Sequence, residues 1–112
     1  INESTLLYGT PRTKKLINER QQVAAKENKE LILIDEDYNL RGYAILKNIK
    51  IIDDPLDLNI TTYRSTRGVN LVFRMKPGHE SLYRNFMSQQ GVNEIARMEQ
   101  AVFYELHIPP SK

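Results

Sequence analysis

The apolar residues of this chain begin with a helical pattern. Thr10 and Pro11 are typical of a helix start, because a threonine side chain caps the first turn and proline fits the first helical position. Apolar residues then recur at helical spacing, which predicts a helix over 11–28 that lies on a sheet. Arg20 stands where a third apolar turn would fall, so the buried stripe is narrow and we expect this side chain to be open to water.

The segment LILIDEDYNLRGYAIL, residues 31–46, predicts a β-hairpin. Leu31–Ile34 is continuously apolar, as in a strand that is covered on both faces. Residues 35–39 are rich in turn formers, and they separate this strand from a second one that is predicted over 40–52. Gly42 would lie at a bulge of that second strand or at a close contact with a neighbour.

A second hairpin is predicted over 58–76, with its turn at 65–68. Apolar and polar residues alternate in both arms, so that each arm has an apolar face and a polar face. The apolar face of the second arm consists of Val69, Leu71, Phe73 and Met75. We expect the opposite face of the hairpin to point away from the core.

The C-terminal part predicts helices followed by a closing strand. Residues 80–90 place apolar side chains on one helical face, and Gly91 is a typical C-terminal cap. A second short helix is predicted over 93–100, and the alternation over 101–108 predicts a strand that two prolines end. Together the elements predict an α+β fold: a mostly antiparallel sheet of four to five strands, with an N-terminal helix and one or two C-terminal helices packed on it.

The composition is that of a soluble globular domain, with 40% apolar and 27% charged residues. A length of 112 residues fits one domain over 1–112, which we expect to be a segment of a larger protein. No apolar run approaches the ~20 residues that span a bilayer, so no membrane partner is expected. The chain has no Cys, which excludes disulfides, thiolate zinc sites and thiol nucleophiles. No signal-peptide pattern occurs, and we expect an intracellular protein, cytoplasmic or nuclear.

The residues that could carry catalysis do not form an active-site pattern. Acidic residues are clustered at predicted strand ends, where they could bind Mg²⁺: Asp35, Glu36, Asp37, Asp53 and Asp54. Asp is also a preferred turn residue, and the strand NLVFRMK lacks the acid before its Lys that a nuclease centre would need. His79 and His107 have no spacing typical of a triad or a metal motif. We therefore expect no enzyme, no catalytic residue, no metal and no cofactor.

Residues 35–42, DEDYNLRG, follow a predicted helix and an apolar strand. This arrangement resembles the hairpin of cystathionine-β-synthase-type (CBS) regulatory modules, in which an apolar strand ends in Asp and a second strand begins near a Gly. The resemblance implies tandem repeats that bind adenine nucleotides in the cleft between them, and hence an allosteric sensor. The chain departs from that pattern after the second predicted strand, where residues 45–48, ILKN, replace the expected Ser/Thr-x-x-Asp ribose-binding motif.

A basic, partly aromatic strip on the polar face of the 58–76 hairpin is the candidate binding site. It consists of Tyr63, Arg64, Arg67, Arg74 and Lys76. The net charge of the chain is only +2, but these cations would attract a phosphate backbone or an acidic peptide, and Tyr63 could stack on a base. The alternative is a solvated sheet edge, in which the charges only prevent strand pairing. In that case the exposed side of the 11–28 helix is the next candidate.

The sequence thus predicts a non-catalytic binding or regulatory domain that recognises an acidic macromolecular surface through the 58–76 hairpin. The partner is expected to be a protein or a nucleic acid, since both carry acidic surfaces. A CBS-like module that senses adenine nucleotides is the alternative function.

Overall fold

The structure is a computed structural model, and it describes residues 10–35, 40–52, 67–89, 91–98 and 101–110. In chain order its helices and strands are α1 (Pro11–Lys26), β1 (Glu30–Asp35), α2 (Arg41–Leu46), β2 (Lys50–Ile52), β3 (Val69–Met75), a 3₁₀-helix (Glu80–Tyr83), α3 (Arg84–Met87), β4 (Asn93–Met98) and β5 (Ala101–Ile108). The predicted α+β fold is confirmed, because the described residues form a five-stranded sheet with an N-terminal helix and a short C-terminal helix.

Helix α1 forms where the sequence predicts it. The Thr10 side chain accepts a hydrogen bond from the backbone N–H of Thr13 at 3.2 Å, and Pro11 occupies the first turn. At the other end, Asn28 adopts a left-handed φ of 57°, and the backbone N–H of Lys29 donates to the Ala24 carbonyl at 2.7 Å. These caps satisfy backbone groups that a bare helix end leaves without partners.

The strands of the sheet are arranged in the order β2-β1-β3-β5-β4. β1 pairs in parallel with both β2 and β3, whereas β5 pairs antiparallel with both β3 and β4. The described sheet is therefore mixed, and the predicted antiparallel pairing holds on its β3–β5–β4 side. The parallel side arises because β1 and β2 are joined by a helix, α2, which carries the chain back across the sheet.

The prediction of a β-hairpin over 31–46 is wrong. β1 is present, but Arg41–Leu46 is a helix, and β2 lies parallel to β1. Within residues 40–46, the buried side chains are those of Leu40, Tyr43 and Ala44. Their i, i+3, i+4 spacing is helical, and it is too short to be separated from a strand pattern without the tertiary contacts.

The strand pairing predicted for the second hairpin is also wrong. Its first arm, 58–64, lies outside the described residues, but its second arm is β3. Both edges of β3 are occupied, because Val69–Met75 pairs with β5 on one side and Val69–Arg74 pairs with β1 on the other. β3 is thus a central strand, and both of its faces are covered. The alternation itself is confirmed, because Phe73 and its apolar neighbours share one buried face.

In the C-terminal part, one predicted strand is confirmed and one predicted helix is wrong. The predicted helix over 80–90 corresponds to the 3₁₀-helix and α3, which together end at Met87. The predicted helix over 93–100 is wrong, because Asn93–Met98 is the edge strand β4, paired with β5. The closing strand predicted over 101–108 is confirmed as β5. Asn93 suits a helix cap, but the hydrogen bonds offered by the edge of β5 override that local preference.

Apolar layers cover both faces of the sheet. On one face, α1 and α2 bury residues that include Ile17, Ala24 and Tyr43 against Leu33 and Phe103. On the opposite face, the 3₁₀-helix and α3 pack their aromatic rings on β3. The ring centroid of Phe73 lies 4.6 Å from that of Tyr83 and 4.5 Å from that of Phe86. The helices α1 and α2 therefore share one side of the molecule, and α3 lies on the other.

Candidate functional site

Arg74, one of the predicted binding residues, is largely buried and forms an ion pair. Its Nη1 donates to Oδ1 of Asp35 at 3.0 Å, and only 13% of the Arg74 side chain is exposed. Asp35 is fully buried, and its other carboxylate oxygen accepts from the backbone N–H of Leu40 at 2.7 Å. The pair therefore joins the carboxyl ends of β1 and β3 to the start of α2. The prediction that Arg74 projects from an exposed sheet face is wrong, because both faces of β3 are covered.

The other predicted binding residues do not form one strip in the part of the chain that the structure describes. Tyr63 and Arg64 lie outside the described residues. Arg67 and Lys76 are both exposed, but they flank opposite ends of β3. A strand of this length is about 20 Å long, at roughly 3.3 Å per residue. The two cations are thus separated by the length of the strand.

A different basic surface forms on α1 and α2, and we call it the helical basic surface. It consists of Arg12, Lys14, Lys15, Lys26 and Lys47. Arg12, Lys15 and Lys26 are exposed along the outer side of α1, together with Glu19 and Gln22, at the spacing that places residues on one helical face. None of its five cations forms an ion pair with a described carboxylate.

Contacts between α1 and α2 hold the two parts of this surface together. The Tyr43 hydroxyl, on α2, donates to the Lys14 backbone carbonyl at 3.1 Å, and burial raises the pKa of Tyr43 above its ordinary value. Gln21, on α1, donates through its side-chain amide to the Lys47 carbonyl at 3.0 Å. The Lys47 ammonium lies 5.9 Å from the centroid of the Tyr43 ring, within the range of a cation–π contact. Lys47 is thereby positioned beside Gln21, in the second half of α1.

The charge on this side of the sheet is strongly one-sided. Residues 10–29 contain six Lys or Arg and two acids, Glu19 and Glu27; one of the six, Arg20, is paired with Glu105. Residues 40–52 contain three Lys or Arg and no acid. Of the two acids, Glu27 lies 3.7 Å from the Lys29 ammonium, which partly neutralises it. An approaching anion therefore meets a positive field that few described carboxylates oppose.

Two large apolar side chains are exposed on α2, next to this basic surface. Ile45 is 64% exposed and Leu46 is 67% exposed. Among the described residues, the only other large apolar side chain with high exposure is Leu82, at 56%, and it lies in the 3₁₀-helix on the opposite side of the sheet. Adjacent exposed apolar residues beside charged ones are typical of a surface that contacts another molecule.

Sequence reasoning missed a buried charge cluster under α1. Arg20 donates from Nε and Nη2 to the two carboxylate oxygens of Glu105, at 2.9 and 2.6 Å. His107 Nε2 lies 3.0 Å from the same carboxylate, whose side chain is only 3% exposed. Arg20 is therefore not a free, water-exposed cation as predicted: its side chain is only 23% exposed, and it links α1 to β5 through a bidentate ion pair. The signals were present, since Arg20 interrupts an apolar stripe and Glu105 and His107 share a strand face at i, i+2 spacing.

Asn70 is the unusual polar residue of the core. It is fully buried in β3, and neither its side-chain oxygen nor its nitrogen has a hydrogen-bond partner. Its register neighbours are Leu31 on β1 and His107 on β5. A buried amide without partners costs free energy, so Asn70 destabilises the sheet relative to an apolar residue.

Other candidate chemistry is limited in the described part of the chain. No three His, Asp or Glu side chains approach one another closely enough to bind a metal ion among these residues. None of the described helices is both long and apolar enough to cross a membrane. Residues 35–42, which carry the resemblance to CBS modules, include the end of β1 and the start of α2 in place of the expected hairpin. The chain matches no protein-family model, no curated protein and no solved structure.

Proposed function

We propose that this chain is a non-catalytic binding domain that recognises an acidic macromolecular surface, protein or nucleic acid, through the helical basic surface. The observation that carries the proposal is a set of five cations on α1 and α2 that have no ion pair with a described carboxylate. Arg74, by contrast, already has a carboxylate partner in Asp35. An acidic partner therefore finds available cations on the helical layer.

The position of these cations along α1 also favours a role in binding. The first turn of α1 carries Arg12 and Lys14 and no acidic residue. Cations at a helix N-terminus oppose the helix dipole and cost about 0.3–1 kcal/mol each at an exposed site. Their presence does not serve the stability of the helix, whereas an anionic partner would benefit from both the side chains and the dipole.

The test uses charge reversal with a matched control. In Arg12→Glu/Lys15→Glu, two exposed cations of the helical basic surface are reversed. In the control, Arg67→Glu/Arg84→Glu, two exposed cations are likewise replaced by Glu. One of them flanks β3, and the other lies on the opposite side of the sheet. Fluorescence anisotropy measures binding to two labelled probes, polyglutamate and a single-stranded DNA oligonucleotide, over a series of salt concentrations.

We expect at least one probe to bind with a dissociation constant below about 100 μM at low salt, and to weaken steeply as salt is added. The α1 variant should lose this binding and the control should keep it. Loss of binding in the control alone would place the site away from the helical layer, at Arg67 beside β3 or at Arg84 on α3. If neither probe binds the native protein, the proposed function is wrong.

A further inference from the structure

The exposed pair Ile45 and Leu46 distinguishes between the classes of acidic partner. These side chains lie on α2, directly before Lys47. Phosphates and sugars offer no apolar surface that would cover an isoleucine and a leucine, whereas a protein partner can bury both. Apolar burial is the dominant favourable contribution to most protein–protein association.

The aromatic residues support the same distinction. Single-stranded nucleic acids are bound largely by stacking of bases on exposed aromatic rings. In the described part of the chain, the Phe residues are all buried, and the rings on the α1 and α2 side, Tyr43 and Phe103, are buried as well. The described helical layer thus presents aliphatic groups and cations, but no exposed ring on which a base could stack.

Charge complementarity gives the chemistry of the partner. Lys47 follows the apolar pair immediately, and the Tyr43–Lys14 hydrogen bond brings the first half of α1 alongside α2. Residues 40–52 contain no acid. A segment that covers Ile45 and Leu46 must therefore carry its own apolar side chains, and carboxylates around them would meet these cations. Charge complementarity of this kind steers association and fixes orientation.

We infer that α2 is the docking site for an acidic, amphipathic segment of a partner protein, whose apolar side chains cover Ile45 and Leu46 while its carboxylates meet Lys47 and Lys14. This inference rests on the proposed function and names the class of partner for it. The exposed apolar pair would be the centre of the interface and the cations its rim, which is the usual anatomy of protein interfaces.

The test compares three labelled probes of equal charge by fluorescence anisotropy. The first is a peptide in which Leu recurs at helical spacing among Glu residues. The second is the same peptide with every Leu replaced by Ser, and the third is a single-stranded DNA oligonucleotide. We expect the Leu peptide to bind about tenfold more tightly than the Ser peptide, since burial of one such side chain is enough for that factor.

Matched variants locate the effect on the protein. Ile45→Ser/Leu46→Ser should remove the preference for the Leu peptide, and its folding is checked by the amide NMR spectrum. Leu82→Ser, an equally apolar and exposed position on the other side of the sheet, should leave the preference unchanged. Lys47→Glu should weaken the binding of the Leu peptide and of the Ser peptide to the same extent.

The outcomes separate this inference from the proposed function. Equal binding of the two peptides, or no effect of the Ile45→Ser/Leu46→Ser change, would overturn the docking site while the basic surface stands. Tighter binding of the oligonucleotide than of either peptide would also overturn it, in favour of a nucleic-acid partner. Failure of all three probes to bind would overturn the proposed function itself.

Discussion

The ion pair between Arg74 and Asp35 gives the sharpest prediction about stability. If Arg74 projected into water from the hairpin face that the sequence predicts, loss of its side chain would leave the stability of the protein unchanged. In the structure, Arg74→Ala removes the cation that lies 3.0 Å from a carboxylate with no exposed surface. Removing one member of a buried ion pair costs about 3–5 kcal/mol, because the remaining charge loses its counter-ion in a poorly solvated site.

The size of that loss makes it easy to measure. The whole stability of a domain is about 5–15 kcal/mol, so Arg74→Ala should remove a large fraction of it. Urea unfolding of the native protein and the variant, followed by circular dichroism, measures the difference. Asp35→Ala should cost at least as much, because the Leu40 backbone N–H at the start of α2 then loses its acceptor as well.

A double-mutant cycle tests the reasoning behind this prediction. If Arg74 and Asp35 stabilise the fold through each other, Asp35→Ala/Arg74→Ala should cost clearly less than the sum of the two single changes. Additive effects would show that the two side chains act independently. An Arg74→Ala protein as stable as the native one would contradict this ion pair. It would favour the exposed position that the sequence predicts for Arg74.

Three further predictions follow from the described core. Asn70→Val should raise the free energy of unfolding by about 1–3 kcal/mol, because it removes a buried amide without partners; a loss of stability in urea unfolding would show that the amide is satisfied. Phe73→Ala should cost about 3–5 kcal/mol, since it removes a buried ring that contacts Tyr83 and Phe86; a nearly unchanged melting temperature would contradict this packing. Burial raises the pKa of Tyr43 above 10.0, so the folded state keeps a proton that the unfolded state loses, and stability should fall as the pH rises above about 10; this fall should be smaller in Tyr43→Phe, as measured by urea unfolding at about pH 9 and pH 11.

The predictable parts of the fold are those in which local pattern and tertiary environment agree. The N-terminal cap of α1 and the alternation of β3 and β5 are local signals, and each appears in the structure as predicted. The segment 40–52 is different, because a six-residue helix and a three-residue strand are both too short for their periods to be distinguished. Strand pairing was the other failure, since the register of β3 with β1 and β5 depends on contacts between residues that are far apart in the chain.

The candidate site shows the same division. The basic residues of α1 are visible in the sequence, and the outer side of this helix is the second binding surface that the sequence suggests. What the sequence does not show is that Lys47 and the pair Ile45 and Leu46 lie beside α1, because that placement depends on α2 being a helix. The wrong prediction of an exposed position for Arg74 has a related cause. A polar residue on an alternating strand predicts a solvated face only if the strand has a solvated face, and β3 has none.

The central claim is that an acidic partner binds the helical layer and not the ends of β3. Titration of the ¹⁵N-labelled protein with polyglutamate, followed by amide chemical shifts, tests it without any substitution. The account predicts progressive, saturable shifts at Arg12, Lys15 and Lys47, with little change at Arg67 and Arg84. Shifts confined to Arg67 and Lys76 at the ends of β3, with α1 and α2 unperturbed, would contradict it.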